Sequence, residues 1–467
     1  MMVTRTLRLA DLVSVCACVA LVLAPAANQA GAEAAPAAQT AKQIIGATGV
    51  KGGLVVHVGC GRGKLTAALR ANDSYLVHGL DAGADNVAKA REHIRKLGLC
   101  GKVSAERWTG KHLPYADNLV NLLVAEELGG VTNEEVMRVL APLGVAYVGG
   151  KKTVKPRPKE IDEWTHFLHD ASNNAVAKDT VVGPPRRYQW IAGPTWARSH
   201  DHLSSLSALV SANGRIFYIV DEGPIASVAI APKWFLVARD AFSGVLLWKR
   251  RVSPWEGHLR NFRSGPAEIA RRLVAAGDRV YVTLGYGKPV TALDAATGQT
   301  LRTCEQTDNA LEIIHHEGVL FVVVGDRPPD NTAGAAVPAK PKAVWHWWPI
   351  YKERPPRKHL VAIKADSGKL LWKKADADTV ELMPTTLAAA GKRAFFQSHK
   401  ELLALDASSG RVLWRAARPV NRRRPSWSAP TLVVYGGVVL SADRAVDAVH
   451  PGTDKSGKPG QWAVTSH

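Results

Sequence analysis

Cysteine is scarce in this chain, and what there is does not suggest a framework. The 467 residues include five cysteines, and Cys16 and Cys18 fall inside an apolar N-terminal run. That leaves Cys60, Cys100 and Cys304 for the body of the protein, an odd and scattered set that argues against a disulfide scaffold. There is no Cys-x-x-Cys-His haem attachment and no Cys-x-x-Cys zinc pair. A membrane-spanning run is missing too. The apolar stretch Leu12 to Leu23 is about a dozen residues, too short to cross a bilayer as a stable helix. Acidic residues are in deficit: Asp+Glu number 41 against 60 Lys+Arg, a formal charge of +19. Such an excess suits anionic partners or surfaces. No nucleic-acid motif accompanies it. The basic residues are dispersed in short runs such as Lys151-Lys152 and Arg422-Arg423-Arg424, as on a solvated face.

The N-terminus has the layout of an export signal. Arg5 and Arg8 form a positive start, interrupted by Asp11, and the apolar run follows. Ala30-Gly-Ala32 is a small-x-small cleavage site. The expectation is a signal peptide over 1–32, then a flexible Ala-rich lead-in over 33–40. Export would be to the periplasm, cell envelope or exterior, with no transmembrane span after cleavage.

One pattern recurs through the second half. It begins at Ala238 as Ala-Arg-Asp-Ala-Phe-Ser-Gly-Val-Leu-Leu-Trp248, and again at Ala292, Ala362 and Ala404. An apolar run enters, a polar turn follows, and a second apolar run leaves. Asp opens the turn in three copies, and Lys364 stands there in the third. Gly244, Gly298, Gly368 and Gly410 can take positive φ without a Cβ clash. The spacing predicts a hairpin with a glycine bulge. Three copies end in Trp, a flat residue suited to docking between neighbouring hairpins, and the second ends in Arg302. Repetition at intervals of 40 residues or more signals a repeat architecture. With apolar strands such as Gly214–Val220 and Gly318–Val324 before each motif, the unit reads as a four-stranded blade of a β-propeller.

The repeat is similar to the tryptophan-docking motif of propellers of the pyrroloquinoline quinone (PQQ) type. That resemblance implies scaffold in some members and PQQ with calcium in others. No convincing residue set for that cofactor and its calcium is identifiable, and no adjacent cysteine pair is present. The propeller is expected over 205–467 with an insertion at about 326–358 that holds Trp345-His-Trp-Trp348. Its four to five blades fall short of a closed ring. The expectation is that a longer protein or another chain completes it, and that the propeller takes an unidentified small-molecule, protein or polymer ligand.

Residues 41–150 read differently. An apolar strand, Leu54–Val58, runs into Gly59-Cys-Gly-Arg-Gly63 and then a helix start. Glycines there let a ligand approach the backbone closely. A second strand, Tyr75–Leu80, ends in Asp81, whose carboxylate can accept both hydroxyls of a ribose. With Trp108–Leu123 and Val139–Val148, this segment resembles a class I S-adenosylmethionine-dependent methyltransferase domain, an α/β Rossmann-like fold. The resemblance implies cofactor contacts from Gly59, Gly61, Gly63 and Asp81, with Thr109 at the adenine position. It assigns no catalytic residue. His57, Thr109, Asn121 and Leu143 depart from the family pattern, and the domain is expected to end after about five strands.

The segment 151–204 reads as a connector rich in Pro, His and Trp. His166, His169 and Asp170, with His200, Asp201 and His202, could bind a divalent metal or act as acid–base groups if the two clusters met. The alternative is that they are hydrogen-bonded loop residues at the propeller entrance. The block 162–224 is similar to part of secreted planctomycete-type proteins that carry quinoprotein-like repeats. Three functions are carried forward: methyl transfer, a non-catalytic binding scaffold, and quinoprotein oxidation.

Overall fold

In the computed structural model, residues 25–184, 187–193, 206–226, 230–255, 269–327, 357–421, 430–446 and 462–466 are described. The chain divides into two compact units, 1–155 and 156–467.

The first unit is built on one sheet. Its strands are β1 (Gly53–Val58), β2 (Tyr75–Asp81), β3 (Val103–Arg107), β4 (Val120–Ala125), β5 (Leu140–Val148) and β6 (Lys151–Val154), in the order 3-2-1-4-5-6. The first five are parallel; β6 runs antiparallel to β5. All six β1 residues are buried, as expected of a central strand covered on both faces. The helices are α1 (Pro25–Thr48), α2 (Lys64–Ala68), α3 (Ala84–Lys96) and α4 (Asn133–Val139). Two expectations need correction. The stretch 33–40 is helical rather than a flexible lead-in, and α1 continues until Ala41 and Ile44 enter the core with Val55, Val77 and Leu122. The unit also does not stop at five strands: 151–154, assigned to the connector, adds the antiparallel sixth.

The second unit is a β-propeller-like series of antiparallel sheets. The first contains β7 (Leu206–Ala212), β8 (Arg215–Asp221), β9 (Trp234–Asp240) and β10 (Leu246–Arg251). The second has β11 (Leu273–Ala276), β12 (Arg279–Thr283), β13 (Val290–Asp294) and β14 (Thr300–Thr303). The third has β15 (Ala310–His316), β16 (Val319–Gly325), β17 (Lys358–Lys364) and β18 (Leu370–Lys374). In the fourth are β19 (Ala388–Ala390), β20 (Arg393–Gln397), β21 (Glu401–Asp406) and β22 (Val412–Ala417). The fifth pairs β23 (Thr431–Tyr435), β24 (Val438–Arg444) and β25 (Trp462–Ser466). The opening strands β7, β11, β15, β19 and β23 contact one another in sequence and form the inner wall. Most of the insertion at 326–358 lies outside the described residues.

Each repeat motif is the hairpin between the third and fourth strands of a sheet. The four turn glycines have φ of 70 to 74°. A register shift follows each turn, the bulge expected from the spacing. Asp240, Asp294 and Asp406 accept the two N–H groups ahead of them in the turn. Lys364 cannot do this, yet its turn closes equally well, because Gly368 N–H still donates to the Lys364 carbonyl at 2.8 Å. The Asp is a reinforcement and the glycine is the requirement. Among the described residues, three tryptophans lie over a following turn. Trp190, Trp248 and Trp372 donate Nε1–H to the carbonyls of Ala241, Ala295 and Ala407 at 2.9 to 3.0 Å.

Candidate functional site

The strand order of the first unit reverses between β1 and β4, which leaves a crevice beyond the carboxyl ends of the strands. The glycine turn and Asp81 both fall there. Gly59, Gly61 and Gly63 have φ of 75, 52 and 75°, so all three use left-handed conformations that disfavour other residues. Their surroundings divide them. A Cβ on Gly59 or Gly61 would meet nothing within 4 Å, whereas one on Gly63 would come within 2.8 Å of Ala90 Cβ and 2.9 Å of its Cα. The first two glycines leave the crevice open, and the third lets α3 pack against the turn. Backbone bonds from Gly59 and Cys60 to the Leu80 carbonyl fasten the turn to the end of β2.

Asp81 completes the arrangement. Its Oδ2 accepts Gly61 N–H at 2.8 Å; its Oδ1 accepts Gly83 N–H at 2.9 Å and Asn86 Nδ2–H at 3.1 Å. Partial burial raises the carboxyl's pKa, but the bonds from Gly83, Asn86 and Gly61, with His57 nearby, outweigh it and hold the group below its ordinary value. Asp81 is thus an oriented anion at the mouth of the crevice. Sequence reasoning missed Asn86 as its partner, although a polar residue five positions beyond the acid is a signal worth reading.

The four departures from the family pattern fall in different places. His57 is buried on β1 with Nδ1 2.9 Å from the Thr66 hydroxyl, and desolvation lowers its pKa to about 4 despite Asp81. It is a neutral core side chain at pH 7. Thr109 is exposed just after Trp108, whose N–H donates to the Asp81 carbonyl. Asn121 is not at the crevice: its Oδ1 accepts Leu54 N–H at 2.8 Å, at the amino end of β1. Leu143, with φ 65°, is also away from the crevice, ahead of the stretch of β5 that pairs with the end of β4. These last two departures from the family pattern, which the resemblance would count as weakened cofactor contacts, therefore leave the crevice untouched. Cys60, the thiol within the turn, is pushed up to about 11 by burial and by Asp81, so it is no nucleophile at neutral pH.

In the second unit, the first histidine cluster has a structural position. Residues 164–172 offer an acceptor to the inner strand of each of the five described sheets. The carbonyls of Trp164, Thr165, Ala171 and Ser172 accept from Ser211, Ala275, Ala389 and Val434, and His166 Nε2 accepts His315 N–H at 3.0 Å. That bond commits the His166 lone pair, and burial lowers its pKa to about 3. His169 Nε2 lies 2.7 Å from Asp162 Oδ2. Asn173 donates to the carbonyls of Leu387 and Leu432 and accepts from Arg271. The segment read as a connector is an axial tie. His200, Asp201 and His202 lie outside the described residues, and no cluster of metal-binding side chains occurs among the described ones.

A methyltransferase domain family matches residues 55–144 of this chain. The first unit has the methyltransferase fold. The family described as outer membrane protein assembly factor BamB matches residues 355–453, within the repeats of the second unit. Methyltransferase GfsG of Streptomyces halstedii is 34% identical over 89 residues, 19% of this chain and 32% of that protein. The chain thus matches about a third of the length of that curated relative. A SAM-dependent methyltransferase from Aquifex aeolicus is 23% identical with a TM-score of 0.21, covering 23% of this chain and 62% of that one. A geranyl diphosphate C-methyltransferase from Streptomyces coelicolor A3(2) is 19% identical with a TM-score of 0.22, covering 24% and 44%. The fold of the first unit rests on strand order and the family match rather than on those superpositions.

Proposed function

We propose that the methyltransferase-fold unit binds S-adenosylmethionine in the crevice and transfers its methyl group to an acceptor yet to be identified. The observation that carries this is the pairing of an oriented Asp81 carboxylate with open space above Gly59 and Gly61. The first supplies an acceptor suited to ribose hydroxyls, and the second a cradle that any Cβ would narrow. Bound there, the cofactor supplies an electrophilic methyl group. The chain's own part is to hold the nucleoside through Asp81 and Gly61 and to seat the adenine end near Thr109. Export through residues 1–32 and presentation of the acceptor by the repeat unit belong to the same proposal, supported by the N-terminal sequence layout and the presence of the repeats.

Calorimetry with S-adenosylmethionine and S-adenosylhomocysteine tests it. Saturable binding is expected for the full chain and loss of binding for Asp81→Ala. Absence of binding to the unmodified chain overturns the reading.

A second reading, in which the repeat unit is a non-catalytic scaffold, is favoured by the axial tie. Residues 164–172 bond to all five inner strands. The centre of the unit is thereby given over to holding the sheets together.

A further inference from the structure

Among the described residues, the junction between the second and third sheets lacks the indole that covers the other turns. At Gly244, Gly298 and Gly410 a Cβ would strike an indole at 2.4, 2.6 and 2.7 Å. At Gly368 the covering atom is Arg302 Cδ, 3.2 Å away. The carbonyl that should receive the indole N–H there is that of Ala365, which stands one residue after Lys364 as Ala295 stands after Asp294. It accepts instead from Arg279 Nη1 at 3.1 Å and from Tyr281 Oη at 3.4 Å.

The other half of the seat is present. Trp248, Trp372 and Trp414 each sit beside a phenylalanine on the second strand of their own sheet, with centroids 6.0 to 6.2 Å apart. Phe217, Phe321 and Phe395 are paired in register with Ala238, Ala362 and Ala404. Tyr281 holds the same place, paired with Ala292. Among the described residues its ring has no indole beside it, and it stacks on His315 at 5.7 Å and 11°. A cleft of about 710 Å³ opens at this junction, with Tyr281, His315, Arg279, Ala365, Leu301 and Leu371 in its walls.

We propose that this cleft is a binding site for an indole-type ligand, a flat aromatic ring with an N–H donor, seated beside Tyr281 and donating to the Ala365 carbonyl. The incoming N–H replaces the longer contact from Tyr281. Arg302 is a flexible cover whose guanidinium can stack on an aromatic face rather than block it. Burial lowers the His315 pKa to about 4, so at neutral pH the ring behind Tyr281 is uncharged. Ligand size follows from the three tryptophans at the equivalent seats.

The test is calorimetric titration of the full chain with indole, N-acetyltryptophanamide and 1-methylindole. Saturable binding of indole at one site is expected, and 1-methylindole should bind about tenfold more weakly, since it cannot donate. Arg302→Trp supplies the missing side chain and should abolish binding while raising the unfolding temperature. Tyr281→Leu should weaken binding at least several-fold, which keeps the test decisive if the first variant folds poorly. N-acetyltryptophanamide binding alongside indole would assign the seat to a chain-borne tryptophan, and indole binding alone to a free aromatic. No indole binding, undiminished binding in Arg302→Trp, or equal affinity for 1-methylindole would each overturn the proposal.

Discussion

Arg271 and Glu312 face each other 3.5 Å apart near the inner wall of the repeat unit, one 4% and the other 1% exposed. Each has a second engagement. Arg271 donates to Asn173 and the Leu387 carbonyl, and Glu312 accepts Thr385 N–H at 2.6 Å. The pair thereby joins the second, third and fourth sheets to the axial segment.

Removing one partner leaves the other charged and buried, so Glu312→Ala should destabilise the repeat unit by about 3–5 kcal/mol. Arg271→Met with Glu312→Gln should cost less than the single changes added together. Denaturant unfolding of the full chain measures both. A loss below about 1 kcal/mol for Glu312→Ala would show that the pair does not tie the sheets.

The crevice glycines should respond differently to one methyl group. Gly63→Ala places Cβ against Ala90 and forces a left-handed residue, so it should lower the stability of the first unit by more than the ~1–2 kcal/mol of backbone strain. Gly61→Ala carries the strain without the clash, and its larger effect should be on cofactor affinity. Parallel unfolding and binding curves separate the two, and equal stability losses would contradict the division.

His57 gives the first unit a pH dependence of known sign. Its pKa is about 4 when folded, against the 6.5 of an exposed imidazole. Between those values the unfolded chain binds the extra proton, so stability rises with pH through this window and is lost as pH falls from 6.5 towards 4. The full effect is on the order of 3 kcal/mol. His57→Gln should flatten the profile there. A variant as pH-sensitive as the parent would assign the dependence to other groups.

Turn glycines in the repeat unit should rank by what covers them. Gly298→Ala meets the Trp248 indole at 2.6 Å, and Gly368→Ala meets only Arg302 Cδ at 3.2 Å. Both bear the left-handed strain of about 1–2 kcal/mol, and Gly298→Ala should lose the indole seat in addition. Thermal unfolding of the two variants reads the difference, and a larger loss at Gly368 would reverse the argument.

The parts of the fold legible beforehand were those encoded in neighbours along the chain. Gly59-x-Gly-x-Gly63 ahead of a helix and Asp81 at a strand end announced the crevice, because turn conformation and strand alternation are local properties. The repeats announced their hairpins for the same reason, even where Lys364 replaces the capping Asp. The misread positions were those whose meaning depends on distant partners. Asn121 looked like a lost cofactor contact, but it serves Leu54 across the sheet. The stretch 33–40 looked flexible because its alanines show no face until Ala41 and Ile44 reach the core.

The sequence by itself determined that two units of different class follow one another, which residues could line a nucleotide crevice, and which tryptophans are suited to docking between neighbouring hairpins. Tertiary structure alone decided what His166 and His169 do. Their spacing suits a metal, a proton relay or a hydrogen bond equally well. Only the convergence of five inner strands on residues 164–172 selects the last for His166, because its Nε2 lone pair is occupied by the His315 N–H. The same holds for Arg302: along the chain it is one imperfect repeat, and in space it covers the Gly368 turn where the other described turns carry an indole.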